Sequence, residues 1–436
     1  MSDPENKPAS TAITPPPTRL MSGMVWNMGS LVFLAAAGVV MNIIIARVYD
    51  ETVLGLFNIC FALYIALSQF GVFGFHLSAL QSVSEFAHDD QDRAISGAFH
   101  AVVVVAISTT VATLAGLVLT PVLAQVYQID GFVTAWLVML PGLWGFAVNK
   151  VLYAVINGAR QMRVFAVMQS LRYIFMIAAL VVLALTDAPG AYITLSLTIA
   201  ELALLPVLGV AAIRAVGLKR MALDRIWIRR HLSFGARVFL SGAILELNSR
   251  ISVLVLGYMA GAAQTGIYTM AVLIQEGVMQ AIFVVRNNIN PLIARHIRDG
   301  ERDRILKLSR MIFLGGAPVF LVGAGLGWLL YPFFVDWFLG DPIYYVARTP
   351  LFVLLAMMGI AAPFLMFNQT FSQAHKPSVH TGYMATVLLA NCVLNIALIP
   401  GMGLLGAALS TGGSFVVSSI MLVVLARRVL GVRIVF

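Results

Sequence analysis

The sequence has few charged residues: only 11% of its 436 residues are Asp, Glu, Lys or Arg, whereas 60% are hydrophobic. Soluble domains carry about 25% charged residues, so this composition excludes a water-soluble globular protein. Cysteine is also scarce, since Cys60 and Cys392 are the only two and both fall within apolar stretches. We therefore expect no disulfide framework, no metal site and no cofactor.

The sequence also lacks segments in which polar and apolar residues alternate, the pattern of a membrane β-barrel. It has instead apolar stretches of roughly 22 to 28 residues, and a helix of that length crosses a hydrocarbon core about 30 Å thick. Backbone polar groups in lipid must be paired within their own segment, so the predicted fold class is an all-α membrane protein. We predict twelve transmembrane helices, at residues 22–45, 54–81, 93–120, 129–157, 164–186, 189–214, 232–259, 265–293, 305–331, 346–373, 377–398 and 402–427.

The distribution of basic residues predicts the orientation of these spans. Nearly all Lys and Arg residues outside the spans fall in connections on one side, and the other side has only Arg47 and Arg348. Basic connections stay in the cytoplasm, so both termini are predicted to be cytoplasmic, in a multi-pass protein of a bacterial inner membrane. The net charge of +9 then indicates contact with anionic lipid headgroups and needs no nucleic acid as a partner.

We predict four parts of the chain. Residues 1–19 are polar, contain three consecutive prolines and lack the apolar core of a signal peptide, so we expect a disordered cytoplasmic tail. Residues 20–216 form an N-terminal half with six spans, and residues 232–436 form a C-terminal half with the other six. Residues 217–231 form a cytoplasmic linker that lies on the membrane surface.

The two halves show an internal repeat. An offset of 211 positions superimposes Gly55 on Gly266 and the pair Asp92-Arg93 on Asp303-Arg304. Later matches need an offset of 216, which superimposes Arg160 on Lys376, and the additional five residues fit the outer loop near residues 332–348. Because six spans return the chain to the same side, the repeat is parallel. We predict two lobes that face each other across a cavity and rock to give alternating access.

Three stretches carry a resemblance to a known family. They are residues 46–69, which contain Leu54-Gly55-Leu56-Phe57-Asn58, residues 157–161, and residues 395–408. The chain resembles the polysaccharide-transport branch, with its Wzx-type O-antigen flippases, of the multidrug/oligosaccharidyl-lipid/polysaccharide (MOP) flippase superfamily.

This resemblance implies a flippase and no enzyme. The implied substrate is a polyprenyl-diphosphate-linked oligosaccharide, moved from the cytoplasmic to the outer leaflet for a surface polysaccharide such as lipopolysaccharide O-antigen or exopolysaccharide. The implied partners are membrane lipids and the polysaccharide polymerase or export machinery.

Charged side chains inside the spans cost about 2.5 to 3.5 kcal/mol each at the bilayer centre, so they are expected to face a protein interior or a wet cavity. Four cations lie five to eight residues above a cytoplasmic helix end, roughly 8 to 12 Å deep: Lys150, Arg172, Arg237 and Arg286. Phosphate oxygens accept charge-assisted hydrogen bonds from such groups, so we predict a basic ring that binds the diphosphate. The alternative is that each side chain extends to the membrane surface.

A second predicted layer lies nearer the middle of the membrane and contains Glu201, Glu246, Arg250 and Glu276. Glu246 and Arg250 are four residues apart, hence on one helical face, and Glu276 reaches the same level. This Glu–Arg–Glu cluster is either an ion pair that holds the second lobe together or a site for a proton, sodium ion or sugar. Further predicted cavity residues are Arg47, Asn58, Gln69 and Gln280, and the amides of the last three could equally form hydrogen bonds between helices.

Three rival functions follow from the same sequence. A cation-coupled multidrug exporter would carry an acidic residue in its first span, and residues 31–45 contain none, although Glu201, Glu246 or Glu276 could bind the coupling ion instead. A glycan ligase or polymerase would need catalytic residues on a substantial outer loop, whereas the outer connections here are short. A scaffold protein would need no charge within the membrane.

Overall fold

The structure, a computed structural model, describes residues 17–87, 89–219 and 221–435, and the regular structure in this part of the chain is helical. The α-helices are α1 (Pro17–Val48), α2 (Glu51–Val72), α3 (Phe75–Phe86), α4 (Gln91–Tyr127), α5 (Phe132–Gly158), α6 (Met162–Leu185), α7 (Leu195–Val216), α8 (Arg225–Arg298), α9 (Arg302–Phe334), α10 (Arg348–Leu365), α11 (Thr370–Gln373) and α12 (Pro377–Leu425). Short 3-10 helices precede α7 and α10, and a π-helical turn follows α9.

Ten helical segments of the described chain are long and apolar enough to cross a membrane. Two of them cross twice, because α8 is interrupted at Gly261 and α12 at Gly403, whose positive φ angles of 84° and 51° break the helix. The described residues thus contain twelve crossings, and the predicted all-α membrane fold is confirmed. An apolar core joins the two halves through α2, α5, α8 and α10.

Several predicted boundaries differ from the structure. The predicted span 54–81 is broken at Phe73 and Gly74, where both φ angles are positive, and α3 continues beyond the break. The break coincides with a close backbone contact, since a Cβ on Gly235 of α8 would overlap the carbonyl oxygen of Phe73. The predicted outer loop at residues 332–348 is largely helical, because α9, a π-helical turn and a 3-10 helix occupy most of it.

Of the predicted tail (residues 1–19), residues 1–16 lie outside the described residues. Residues 17–19 form the first turn of α1. Of the predicted linker, residues 225–231 are already the first turns of α8, whose N-terminus is capped by the Asp224 carboxylate (2.8 Å to the backbone nitrogen of Ile226). The remaining segment is held on the N-terminal half by an ion pair of 2.6 Å between Lys219 and Asp92. The start of the predicted linker is therefore in contact with the N-terminal half.

The turns after α5 and after α11 have the same hydrogen-bond pattern. The backbone N–H of Gln161 donates to Ile156, and that of Lys376 donates to Phe371. The residue before each donor is left-handed, with φ 57° at Arg160 and 54° at His375. The structural offset here is 215, so Arg160 corresponds to His375 and the predicted match of Arg160 with Lys376 was wrong by one residue.

The repeat also explains the closest contact between the halves, where α2 crosses α8. A Cβ on Gly55 would overlap the carbonyl oxygen of Ala262, and a Cβ on Gly266 would overlap that of Glu51. Glu51 and Ala262 are themselves 211 positions apart, so these two contacts are one contact repeated by symmetry. A pseudo-two-fold axis passes between Gly55 and Gly266, at the ends of α2 and α8 that the predicted orientation assigns to the outer side. The halves are closed there.

Candidate functional site

A cavity of about 360 Å³ lies within the N-terminal half, between α1, α3, α5, α6 and α7. Its wall combines aromatic rings, among them Phe146, Phe165 and Tyr173, with a few polar and charged groups. The sequence predicted a cavity between the two lobes, whereas this one is enclosed by helices of a single half. Mostly apolar walls with a small number of placed polar groups are typical of ligand sites.

A buried ion pair forms one wall of the cavity. The Arg172 guanidinium of α6 donates from Nε to Glu201 Oε1 of α7 at 2.5 Å, and Glu201 is fully buried. Asn149 of α5 donates from Nδ2 to the second carboxylate oxygen and to the backbone carbonyl of Glu201, each at 2.9 Å. The Arg172 guanidinium also lies over the Phe146 ring, 5.0 Å from its centroid. Three helices are thus joined through one carboxylate.

Lys150 also lines this cavity, but its surroundings differ from those of Arg172. Among the described residues it has no carboxylate within 4.0 Å, and its ammonium lies over the Phe146 ring at 5.7 Å. The ammonium is therefore not paired with a carboxylate of the described residues, in contrast to the Arg172 guanidinium.

Three other cavity side chains have buried polar atoms without a hydrogen-bond partner: His76 Nδ1, Asn149 Oδ1 and Gln169 Oε1. A buried polar group left unpaired costs about 1 to 3 kcal/mol, so several of them around one cavity indicate a place for a polar ligand or water. With Lys150, they give the cavity both donors and acceptors.

The other two predicted members of the basic ring do not line this cavity. Arg237 is exposed, and its Nε donates to the carbonyl of Ser233 in its own helix. Arg286 is half-buried and lies over the Phe283 ring at 4.2 Å. The structure therefore brings Lys150 and Arg172 together and leaves Arg237 and Arg286 elsewhere.

In the predicted Glu–Arg–Glu cluster, Arg250 pairs with Glu276 at 3.2 Å, and both side chains remain partly exposed. Glu246 forms no ion pair within 4.0 Å in the described part of the chain, so the predicted cluster of three is reduced to one pair. The Arg250 guanidinium lies 5.5 Å from the centroid of the Phe61 ring, which belongs to the other half. The pair thus sits where the halves meet.

The remaining predicted polar residues occupy separate places. Asn58 donates to Asn42 Oδ1 at 3.1 Å and so joins α2 to α1. Gln69 is buried and bonds within its own helix, whereas Arg47 and Gln280 are exposed. None of these four lines the N-terminal cavity.

Sequence reasoning did not single out His76, Asn149 or Gln169. One signal was available: Asn149 precedes Lys150 in an otherwise apolar span, and a polar pair at mid-helix is unusual in a membrane. His76 could not be found this way, because its position depends on the break before α3.

The C-terminal half has a different groove of about 320 Å³ between α10 and the second arm of α12. Its lining is apolar except for Ser419. With the offsets of 215 and 216, the positions of Lys150 and Glu201 correspond to Leu365 and Val417. The charged network of the first half thus has no copy in the second.

A sequence-family model described as a polysaccharide biosynthesis protein matches residues 20–285, more than half of the chain. None of the curated proteins matches the sequence.

Several solved structures share the fold. An inward-facing multidrug resistance MATE family transporter of the MOP superfamily superposes with a TM-score of 0.73 at 14% identity, covering 91% of this chain and 94% of that chain. The lipid II flippase MurJ, in an inward closed conformation, superposes with a TM-score of 0.74 at 11% identity, covering 92% and 87%. The MATE multidrug transporter DinF-BH gives a TM-score of 0.68 at 15% identity and covers 98% of both chains. At these identities the likeness shows a shared fold.

Proposed function

The chain belongs to the polysaccharide biosynthesis protein family, as a multi-pass bacterial membrane protein with the MOP transporter fold, and we propose that it is a flippase for polyprenyl-diphosphate-linked oligosaccharides. In this proposal the lipid-linked glycan enters from the cytoplasmic leaflet and is released in the outer leaflet, where it serves the assembly of a surface polysaccharide. The two halves move so that the substrate site opens alternately to the cytoplasmic side and to the outer side. No covalent bond forms or breaks in the protein.

The observation that supports this proposal most strongly is the environment of Lys150. In the described part of the chain, Lys150 is a cation in a membrane cavity without a carboxylate within 4.0 Å, beside buried hydrogen-bonding atoms that have no partner. A diphosphate offers several anionic oxygens, and a desolvated ammonium binds such oxygens strongly. Arg172 can contribute its free guanidinium nitrogens while Glu201 holds its Nε.

The position of the cavity supports the direction of loading. Asn157 and Phe165 in its wall lie beside the turn between α5 and α6, which the predicted orientation assigns to the cytoplasmic side. Unlike a multidrug cation, a lipid diphosphate needs positive groups at its site. The rival cation-coupled exporter is less well supported, because residues 31–45 in the first span of this chain contain no acidic residue. Two carboxylates of later spans are already engaged, since Glu201 bonds to Arg172 and Asn149, and Glu276 pairs with Arg250.

We expect Lys150→Gln to reduce flipping at least about tenfold, since a charge-assisted hydrogen bond contributes about 1.5 to 3 kcal/mol. The measurement uses vesicles with purified protein and a fluorescent polyprenyl-diphosphate-sugar, whose outer-leaflet pool is bleached by an impermeant reductant. Lys150→Arg keeps the charge and should keep most of the rate.

Lys219→Gln is the matched control, because it removes an exposed cation of the connecting segment. A flipping rate in Lys150→Gln equal to that of the control would contradict the assignment of Lys150 to the diphosphate. If the wild-type protein does not move the probe at all, the flippase proposal itself is wrong.

A further inference from the structure

The side-chain amide of Asn149, on α5, is held in one orientation by the protein. Its Nδ2 donates to the backbone carbonyl and to the carboxylate Oε2 of Glu201, each at 2.9 Å. The opposite orientation would turn the amide oxygen toward these two acceptors, and no hydrogen would lie between them. The contact with α7 therefore assigns Nδ2 to Glu201 and leaves Oδ1 on the other side of the amide group.

The amide oxygen of Asn149 has no partner among the described residues. Asn149 is 1% exposed and lines the N-terminal cavity, and its Oδ1 is a buried atom without a hydrogen bond. Buried polar atoms are nearly always paired in proteins. Lys150, the next residue, also lines the cavity, but its ammonium is not bonded to Oδ1. Asn149 thus presents a fixed acceptor for which the described part of the chain supplies no donor.

A diphosphate cannot satisfy this acceptor. Ionised phosphate oxygens accept hydrogen bonds and have no hydrogen to donate to an amide oxygen. A ligand that binds both Lys150 and the neighbouring Asn149 must therefore carry an O–H or N–H donor close to its anionic group. In a sugar diphosphate, the nearest such donor is the substituent on C2, the carbon next to the one that bears the phosphate.

Aromatic rings of the same wall suit a sugar ring beside this acceptor. Tyr153 lies four residues after Asn149 on α5, hence on the same helical face, and both line the cavity. The Tyr153 hydroxyl donates to the backbone carbonyl of Met168 at 2.9 Å, and its ring packs edge-to-face against Phe165, with centroids 5.8 Å apart. A ring fixed in this way offers apolar contact to the C–H groups of a sugar.

We propose that Asn149 is a specificity-determining residue for the sugar attached to the diphosphate. Its Oδ1 accepts a hydrogen bond from the hydroxyl or acylamino group on C2 of this sugar, while Glu201 holds the amide in the required orientation. The protein then discriminates against a sugar that has no donor at C2. This proposal rests on the proposed flippase function and adds a selection step at the same cavity.

The test measures binding of fluorescent probes to the full chain in phosphatidylcholine nanodiscs. Each probe is a polyprenyl diphosphate that carries glucose, N-acetylglucosamine, 2-deoxyglucose or no sugar. We expect the wild-type protein to bind the glucose or the N-acetylglucosamine probe about tenfold more tightly than the 2-deoxyglucose probe, the scale of one hydrogen bond to a buried acceptor. The tighter of the two identifies the donor as a hydroxyl or an amide N–H.

Asn149→Leu removes the acceptor and keeps a side chain of similar size, so all three sugar probes should bind equally. This change also removes the bonds to Glu201, and binding of the probe without sugar checks that the Lys150 site is intact. Asn149→Ala is the second variant, since it avoids a bulky apolar group beside the carboxylate, and it should also lose the preference. Asn58→Leu is the matched control, because it removes a membrane amide outside this cavity and should keep the preference.

The outcomes separate this inference from the flippase proposal. If the wild type binds the probe without sugar but binds the glucose, N-acetylglucosamine and 2-deoxyglucose probes equally, the role of Asn149 is wrong and the diphosphate site stands. A preference that survives in Asn149→Leu or Asn149→Ala, or that Asn58→Leu also removes, overturns the assignment as well. If no probe binds the wild-type protein, the flippase proposal fails together with this inference.

Discussion

Replacing Gly55 with valine is expected to abolish flipping while the protein still inserts and folds. The Cβ of the new side chain would overlap the carbonyl oxygen of Ala262, a backbone atom that no rotamer change can move. Overpacking of this kind costs about 1 to 3 kcal/mol, and here the cost falls on the outer-closed state. Since each 1.4 kcal/mol changes an equilibrium about tenfold, the protein should remain open on the outer side. Gly266→Val should have the same effect because the contact is symmetric.

The experiment measures both transport and whether the outer contact between α2 and α8 is closed. Gly209→Val is the control, since it adds the same side chain to a membrane helix at a place where a Cβ meets nothing within 4 Å. A cysteine in place of Glu51, in a background without Cys60 and Cys392, reports the outer side through an impermeant maleimide. Labelling should rise in Gly55→Val and stay low in Gly209→Val. Normal flipping in Gly55→Val would show that the outer contact is not part of the cycle.

Replacing Glu201 with alanine is expected to give the largest loss of stability of any single change in the cavity. The substitution leaves the Arg172 guanidinium without its carboxylate in a buried place and removes one of the two acceptors of Asn149, the side-chain one. Breaking a buried pair by removing one partner costs about 3 to 5 kcal/mol. Thermal unfolding of the purified protein should show a clearly lower midpoint.

Glu276→Ala is the matched control, because it removes the carboxylate of another intramembrane pair, with Arg250, whose side chains are 24% and 40% exposed. Because this pair is less buried than the pair of Arg172 with Glu201, its loss is expected to lower the unfolding midpoint less. Similar losses in the two variants would contradict the distinct role of Glu201.

The double variant Arg172→Leu with Glu201→Leu distinguishes a structural role of this ion pair from a role in transport. Replacing both partners by apolar groups removes the unpaired charge, so stability should largely return. Flipping should remain lost if Arg172 contributes to the diphosphate site. Recovery of flipping together with stability would mean that the pair only holds α6 and α7 together.

The number of membrane crossings followed from the sequence, because the length of an apolar stretch and the cost of unpaired backbone groups in lipid allow little else. The internal repeat also followed from the sequence, and it related Gly55 to Gly266. The sequence did not reveal that these two glycines touch each other. A two-fold relation brings equivalent residues into contact only if they lie next to its axis, and the position of the axis depends on how the halves pack.

The candidate site was less accessible to sequence reasoning. Counting residues from a helix end gave the depth of Lys150, Arg172, Arg237 and Arg286, and all four belong to one predicted layer. Depth does not define the direction in which a side chain points, because each residue turns the helix by about 100°. Neighbouring helices decided that Lys150 and Arg172 face a common cavity and that Arg237 is exposed.

By itself, then, the sequence determined that this chain is an all-helical membrane protein of two repeated halves, because hydrophobic length, charge asymmetry and internal similarity are properties of the order of residues. Only the tertiary structure decided which charges meet. The pairing of Arg172 with Glu201, and the absence of a carboxylate partner for Lys150 among the described residues, depend on how α5, α6 and α7 rotate against one another. Those rotations are set by packing between helices, which no single helix encodes.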